Sequence, residues 1–407
     1  MHPQTPVLVT TGAEANDQLL YFTSSSLSGD DDCLVFISDR SGHPNLYAKH
    51  LPDGKEVQLS ANTEGTLKSY VYFNGRPHRG FGKASVSFDA AGRTLYYLQG
   101  DDIVRCGLDG QRRVLGQIPP GQVTAFTHVS ADGRRLCIPT TDARALEAEN
   151  FVNDAPNYSV GDEGKKNEVI ADKPDYDIDA RVQAENLGSW LNVYDTHSGA
   201  LIARERVERA WITHVQFSPT DPGLILYNHE WPGDCGIRRM WIWNGREHIR
   251  LRHEGEGRTR RDWTCHEMWE ADGSHIIYHG KYENGQAYVG RVDPTGRHTT
   301  EIALPLAYHR YGHFTAGNRH ANWLVSDGYF HPEQTPENAN WGGEWISLQR
   351  VDWAAQRIAW QPLCEHRSIW DCQDSHPHPI FNHADSAIYF TSNASGRRAV
   401  YRVAVPA

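Results

Sequence analysis

Several things are missing from the 407-residue chain, and each absence removes a class of protein. No stretch of about 18 consecutive apolar residues occurs, so no segment reads as a membrane-spanning helix. The seven cysteines (Cys33, Cys106, Cys137, Cys235, Cys265, Cys364 and Cys372) form no CxxC pair. That argues against a disulfide framework or a zinc knuckle and for reduced thiols. There is no basic stripe. The formal net charge is −11, whereas a chain that neutralises phosphates needs the opposite sign. A P-loop, a GxSxG elbow and a nucleotide-binding glycine fingerprint are absent too. The opening residues, MHPQTPVLVTTGAEANDQ, have no basic segment leading into an apolar one. The expectation is a cytoplasmic protein without a nucleic-acid or membrane partner.

What the chain does have is aromatics and turn residues: 13 Trp, 18 Tyr and 36 Gly, a composition suited to turn-rich β structure. It also repeats. A short apolar run ending near Ser, Thr or Asp recurs at Leu34-Val-Phe-Ile-Ser-Asp39, Leu95-Tyr-Tyr-Leu98, Leu136-Cys-Ile-Pro139 and Leu224-Ile-Leu-Tyr227. It returns at Ile276-Ile-Tyr278, Trp323-Leu-Val-Ser-Asp327 and Ala387-Ile-Tyr-Phe-Thr-Ser392, making seven copies. Most spacings lie between 41 and 64 residues, near the period of a propeller blade. The reading is a single all-β domain over 1–407, a seven-bladed β-propeller. Its last blade runs out of chain after three strands, and Pro6-Val-Leu-Val-Thr10 is the candidate fourth, which would close the ring. Two polar stretches, 142–188 and 328–344, break the rhythm and read as insertions, either lids or surface loops.

The 22 histidines are more informative still. Counted back from the turn that ends each blade's first strand, His214, His266, His313 and His378 stand at the same offset, four residues ahead. His128 and His376 lie two residues out of that register, which on a strand preserves the face. First strands line a propeller's axis, so six imidazoles are expected to converge at one end of it. Any one histidine is more often a surface or turn residue; the coincidence of register is what carries the expectation. The sharpest local motif is Gln373-Asp-Ser-His-Pro-His-Pro379. Its period-two pair, with Gln373 as an oxygen donor and His266 from another blade, suits a borderline divalent ion such as Mn, Fe, Ni or Zn. Such an ion would also hold an anionic ligand against the net charge of −11.

At these residues the chain resembles the oligogalacturonate lyase family of seven-bladed propellers. The likeness runs through Leu34-Val-Phe-Ile-Ser-Asp-Arg40, His214-Val-Gln-Phe-Ser-Pro219 with Asn228-His-Glu230, Thr264-Cys-His-Glu-Met-Trp-Glu-Ala-Asp-Gly273 and the Gln373 motif. It implies metal-assisted β-elimination on a small uronate oligosaccharide. Mn²⁺ would be held by His266, Gln373, His376 and His378, with His214 as general base. The family's carboxylate-binding arginine has no counterpart in Gly188-Ser-Trp-Leu-Asn-Val-Tyr-Asp195. Arg181, or one of Arg204, Arg206 and Arg209, is the candidate replacement. His229, His313 and Arg238 are further candidates for contact with substrate. The Arg258-Thr-Arg-Arg261 cluster and Trp263, Trp269 and Trp341 are weaker ones, Trp269 reading better as packing between blades.

Two other readings stand beside this one. A TolB-like propeller would bind a protein partner and do no chemistry. A related lyase would use the same scaffold on a different uronic-acid-containing sugar. Fold alone does not separate them; the site does.

Overall fold

The computed structural model describes residues 3–11, 14–72, 80–146, 185–230, 239–252, 263–282, 284, 286–304, 312–328, 345–369 and 373–406. Each of the seven apolar runs read from the sequence is the second strand of a four-layered antiparallel blade. Cys33–Ser38 is buried at all six positions and Ala387–Ser392 likewise. These runs are continuous rather than alternating because both faces of the strand pack on neighbouring blades. Burial falls outward: the outermost strands Arg112–Gln117 and Leu201–Glu208 are mostly exposed or half-buried.

The innermost strands are short and follow one another round the axis: Asp17–Gln18, Ser87–Asp89, Gln122–Val123 with His128–Val129, Val215–Phe217, Trp263–Trp269, Phe314–Ala316 and Ile380–Phe381. The ring closes as the sequence suggests. Val7–Leu8 pairs antiparallel with the last strand, Ala399–Ala404, as the outermost strand of blade seven. The 142–188 insertion is carried on the hairpin between Arg135–Asp142 and Gly188–Asp195, which pair directly. Its body, 147–184, and the 329–344 stretch lie outside the described residues.

Tight turns stitch one blade to the next. Asp31, at the head of blade one, accepts hydrogen bonds from the Asn382 side chain and from the backbone N–H groups of His383 and Ala384 in blade seven. Asp385 repeats the device one blade back, accepting from the N–H groups of Asn318, Arg319 and His320. Both aspartates adopt a left-handed backbone, φ 59° and 55°, a conformation that Asp tolerates better than most residues. Blade register, and with it the relative height of the axial histidines, is thereby fixed from blade to blade.

Candidate functional site

The inner strands run in one direction round the axis, so their first residues share one face of the propeller. His214 and His313 sit immediately ahead of Val215–Phe217 and Phe314–Ala316, and His378 sits two residues ahead of Ile380–Phe381. His266 lies inside Trp263–Trp269, at a bulge where pairing with Ile276–Lys281 shifts between Cys265 and Met268. A bulge re-aims the side chain it carries. The consequence is a tight cluster. Ring centroids of His313 lie 4.0 Å from His378, 4.6 Å from His266 and 4.9 Å from His376. His266 and His378 hold left-handed backbone, φ 52° and 46°. Such strain in a non-glycine residue costs on the order of 1–3 kcal/mol and concentrates at functional sites.

The donor set fits a divalent ion. One ligand nitrogen each from His313, His376 and His378 lies within 4.8 Å of the others. The Nε2 of His378 is buried without a hydrogen-bond partner, an expense proteins rarely leave unexplained. Behind the cluster stands Asp327, its side chain wholly buried. Its carboxylate accepts from His313 N–H at 2.6 Å, His313 Nδ1–H at 3.0 Å and His378 N–H at 3.1 Å. A carboxylate only accepts, so His313 carries its hydrogen on Nδ1 and turns a lone pair outward at Nε2. That Nε2 faces His376 Nδ1 at 3.4 Å. Burial lowers the His378 pKa well below the ordinary histidine range, and Lys83, His313 and His376 push the same way. Burial acts likewise on His266, joined by His313 and His279. Neutral imidazole is the form that binds metal.

His214 belongs to a second layer of the same space. Tyr21 bridges them, its ring 5.6 Å from His214 and 5.3 Å from His378. The Nε2 of His214 and the Tyr21 hydroxyl are 2.9 Å apart, and Tyr70 donates to the same hydroxyl. Asn228 is oriented without ambiguity: its Oδ1 accepts from Thr213 N–H and His214 N–H, so its Nδ2 is a donor. That Nδ2 reaches Glu230 Oε2 and His214 Nδ1, and Arg239 Nη2 approaches the same Nδ1 at 3.3 Å. Arg239 also ties Glu267 at 2.7 Å and Glu230 at 3.0 Å. Glu230 stands 3.6 Å from His214 Nδ1. Burial would raise its pKa, but Arg239 and then His214 hold it well below the usual carboxylate range. Two cations therefore reach this end of the axis among the described residues, Arg239 and Lys83; Lys83 Nζ donates to His378 Nδ1 at 3.0 Å, so in this arrangement the ring hydrogen of His378 sits on its orphaned Nε2 and must leave that nitrogen for it to ligate.

Not every candidate arrives there. His128 is corrected: it stands beside Phe217, whose N–H it accepts at Nδ1, and it lines the opposite mouth of the axis. The two-residue offset preserved the face of the strand but moved His128 along it. His229 is corrected too. It packs between Tyr227 and Trp241 inside blade four, because period two sends Asn228 and Glu230 toward His214 and the residue between them away. His313, expected beside the substrate, stands among the ligand-type nitrogens. Gln373 begins the single turn Gln373–Ser375, and its side chain is outside the described residues. Arg181, Arg238, Arg258, Arg261 and Trp341 lie outside them as well, as does the Trp263 side chain. Arg204 and Arg206 lie over the Trp190 ring on blade three. Trp269 is buried and donates to Gln216 O of the adjacent blade, as interblade packing requires.

At the far mouth lies a cavity of about 410 Å³, lined by Ser130, Phe217, Glu270, Gly317, His383 and others. Phe22 separates it from the histidines: its ring lies 5.2 Å from His378 and 5.5 Å from His266, and it lines the cavity on its other side.

Comparison with known proteins follows this geometry. A family model described as oligogalacturonate lyase matches residues 191–407, more than half of the chain and the part that carries His214, His266, His313, His376 and His378. Oligogalacturonide lyase of Pectobacterium atrosepticum is 26% identical over 208 residues, which is 49% of this chain and 51% of that protein. The chain spans about half the length of the curated relatives it matches. Among solved structures, oligogalacturonate lyase from Vibrio parahaemolyticus gives a TM-score of 0.74 at 20% identity, covering 98% of this chain and 93% of that one. Another, oligogalacturonate lyase in complex with manganese, gives 0.72 at 19% identity, with coverage of 98% and 92%. At these identities the two structures speak for the fold.

Proposed function

The chain belongs to the oligogalacturonate lyase family, and on that footing we propose that it cleaves a small uronate oligosaccharide by β-elimination with a divalent ion, Mn²⁺ foremost. The observation that carries the reading is the placing of His214, with the Glu230 carboxylate 3.6 Å from its Nδ1, beside a cluster of imidazoles able to hold metal. His376 and His378 would be ligands, with His313 from the geometry and His266 and Gln373 from the family resemblance. When bound, the ion acts as a Lewis acid on the uronate carboxylate and stabilises charge that develops as the α proton leaves.

The chain's own residues do the rest. Lys83 and Arg239 bring positive charge to a site that must receive an anion. His214 takes the proton α to the carboxylate, as an imidazole can near neutral pH. Its Nδ1 lies 2.9 Å from Thr213 Oγ1, which donates to Glu230 Oε2, so a hydrogen on Nδ1 has an acceptor there while Nε2 faces Tyr21. With the hydrogen on Nδ1, Nε2 is free to take a proton, and Glu230 Oε2, 3.6 Å from Nδ1, stands to stabilise the imidazolium. Tyr21 and Tyr70 line the path. Arg181 and Arg238 are proposed as further substrate contacts.

The test is absorbance in the ultraviolet band of an unsaturated uronate, with purified protein, Mn²⁺ and a panel of uronate disaccharides. Rising absorbance that EDTA abolishes is the expected result, and the responsive member of the panel names the sugar. Silence across the panel, with Mn²⁺ bound, would overturn the lyase reading.

A further inference from the structure

Beside the three histidines assigned above is a second group with metal-ligand chemistry, and it contains a thiol. One ligand atom each from Cys265, His266 and His279 lies within 4.8 Å of the others. Two structural features assemble them. Cys265 and His279 are direct cross-strand partners in blade five, so their side chains share a face. Cys265 and His266 are neighbours in sequence and would normally point to opposite faces, but the bulge after Cys265 and the left-handed backbone of His266 break the alternation. The His266 and His279 rings are stacked 4.9 Å apart, with Nδ1 and Nε2 at 2.7 Å.

Cys265 differs from the other described cysteines. Cys33, Cys106, Cys137 and Cys364 are buried, whereas Cys265 is partly exposed. It borders the charged Arg239–Glu230–Glu267 group, where burial, against the pull of Arg239 and with the push of both carboxylates, raises its thiol pKa to about 11.

We propose that Cys265, His266 and His279 form a second metal site that takes a thiophilic divalent ion, Zn²⁺ in kind, next to the His313–His376–His378 site. One sulfur and two imidazoles are a set that zinc favours over manganese. Three protein ligands leave a fourth position of a tetrahedron open. Zinc–nitrogen bonds of about 2.0–2.1 Å would set the two ring nitrogens roughly 3.3 Å apart. The His266–His279 hydrogen bond must therefore open by about 0.6 Å, a modest shift of one ring. His266 stands between the two sites, 4.6 Å from His313 on one side and 4.9 Å from His279 on the other; its Nδ1 faces His279 and would serve this site, leaving Nε2 for the Mn²⁺ site in which the family resemblance also places it.

Co²⁺ reports on the site, because a cobalt–thiolate bond gives a near-ultraviolet charge-transfer band that cobalt on nitrogen and oxygen ligands lacks. Metal-free protein titrated with Co²⁺ should develop that band. Cys265→Ser and Cys265→Ala should lose it and take up one ion fewer per chain. His279→Ala should weaken Co²⁺ uptake in that band at least tenfold. A His376→Ala, His378→Ala double variant, which removes the other site, should keep it. Failure of the lyase reading leaves these results untouched, since none is read through turnover. The proposal is overturned if wild type shows no band, or if the band persists at full intensity in a Cys265→Ser protein whose circular dichroism is native.

Discussion

Replacing Asp327 by Asn tests whether the axial histidines are set for metal. The carboxylate accepts three hydrogen bonds, two from His313 and one from His378 N–H. Asn keeps one oxygen and turns an NH₂ group on the remaining partners. If the oxygen stays with His313 N–H, the amide nitrogen meets His378 N–H, donor against donor. One unsatisfied buried N–H costs about 1–3 kcal/mol. The same amide meets His313 Nδ1 and favours the tautomer with a lone pair there. The ring hydrogen then moves to Nε2, the nitrogen that faces His376 at 3.4 Å. A protonated nitrogen binds no metal, and loss of such an orienting carboxylate typically costs 10–100-fold in affinity, or about 1.4–2.7 kcal/mol. Asp327→Asn should therefore raise the Kd for Mn²⁺ by that factor in calorimetric titration, along with a lower Tm. A folded Asp327→Asn protein that binds Mn²⁺ as tightly as wild type would refute the tautomer argument, whatever happens to its stability.

Glu230→Gln should lower kcat by roughly 10²–10⁴, by analogy with other carboxylates that orient a catalytic histidine, while leaving the Mn²⁺ Kd unchanged; a normal kcat removes Glu230 from the chemistry. His128 is pushed down to about 4 and His229 to about 3, chiefly by burial. Both fold neutral and charge on unfolding, so their contribution is complete above pH 6.5 and is lost as pH falls toward 4, each by about 1.4 kcal/mol per pH unit. Urea unfolding of His128→Gln between pH 7 and 4.5 should show a slope against pH shallower by about that amount, and an unchanged slope speaks against a neutral buried ring. Gly290 lies in the third strand of blade five, where a Cβ would come within 2.6 Å of the Tyr278 ring. Tyr278 is itself buried and donates to Glu301, so Gly290→Ala should lower stability by about 1–3 kcal/mol in thermal or urea unfolding.

The propeller was legible because its second strands, buried on both faces, leave unbroken apolar runs at a steady period. The axial histidines were legible for a related reason: they keep one offset from a turn that the sequence marks. Where that logic stops, so does the reading. His128 shared the face but not the height. Lys83 and Tyr21 carry no local signal, and Lys83 meets His378 across 295 residues of chain. Arg239 carries no local signal either, and it is tied to two carboxylates from different blades. Asp327 was seen as the end of a repeat; two of its hydrogen bonds form within blade six, and the third emerges once blade seven lies alongside. His279 falls at the site by cross-strand pairing at a bulge, which no period in the sequence announces.

The last blade also sets a condition on how the chain can fold. Its outermost strand is Val7–Leu8 and its neighbour is Ala399–Ala404, and Val400 N–H bonds Thr10 Oγ1 across 390 residues. On the ribosome the early strand waits, without its partner, until some 390 further residues have been made. Six blades can assemble in order, but the seventh requires the two ends to meet, a contact of high sequence separation and correspondingly slow formation. His376 and His378 belong to that final blade, as does the turn that Asp31 secures. Competence to hold an ion at the His376–His378 cluster therefore arrives with the closing of that blade, and a chain cut before it should lack that site.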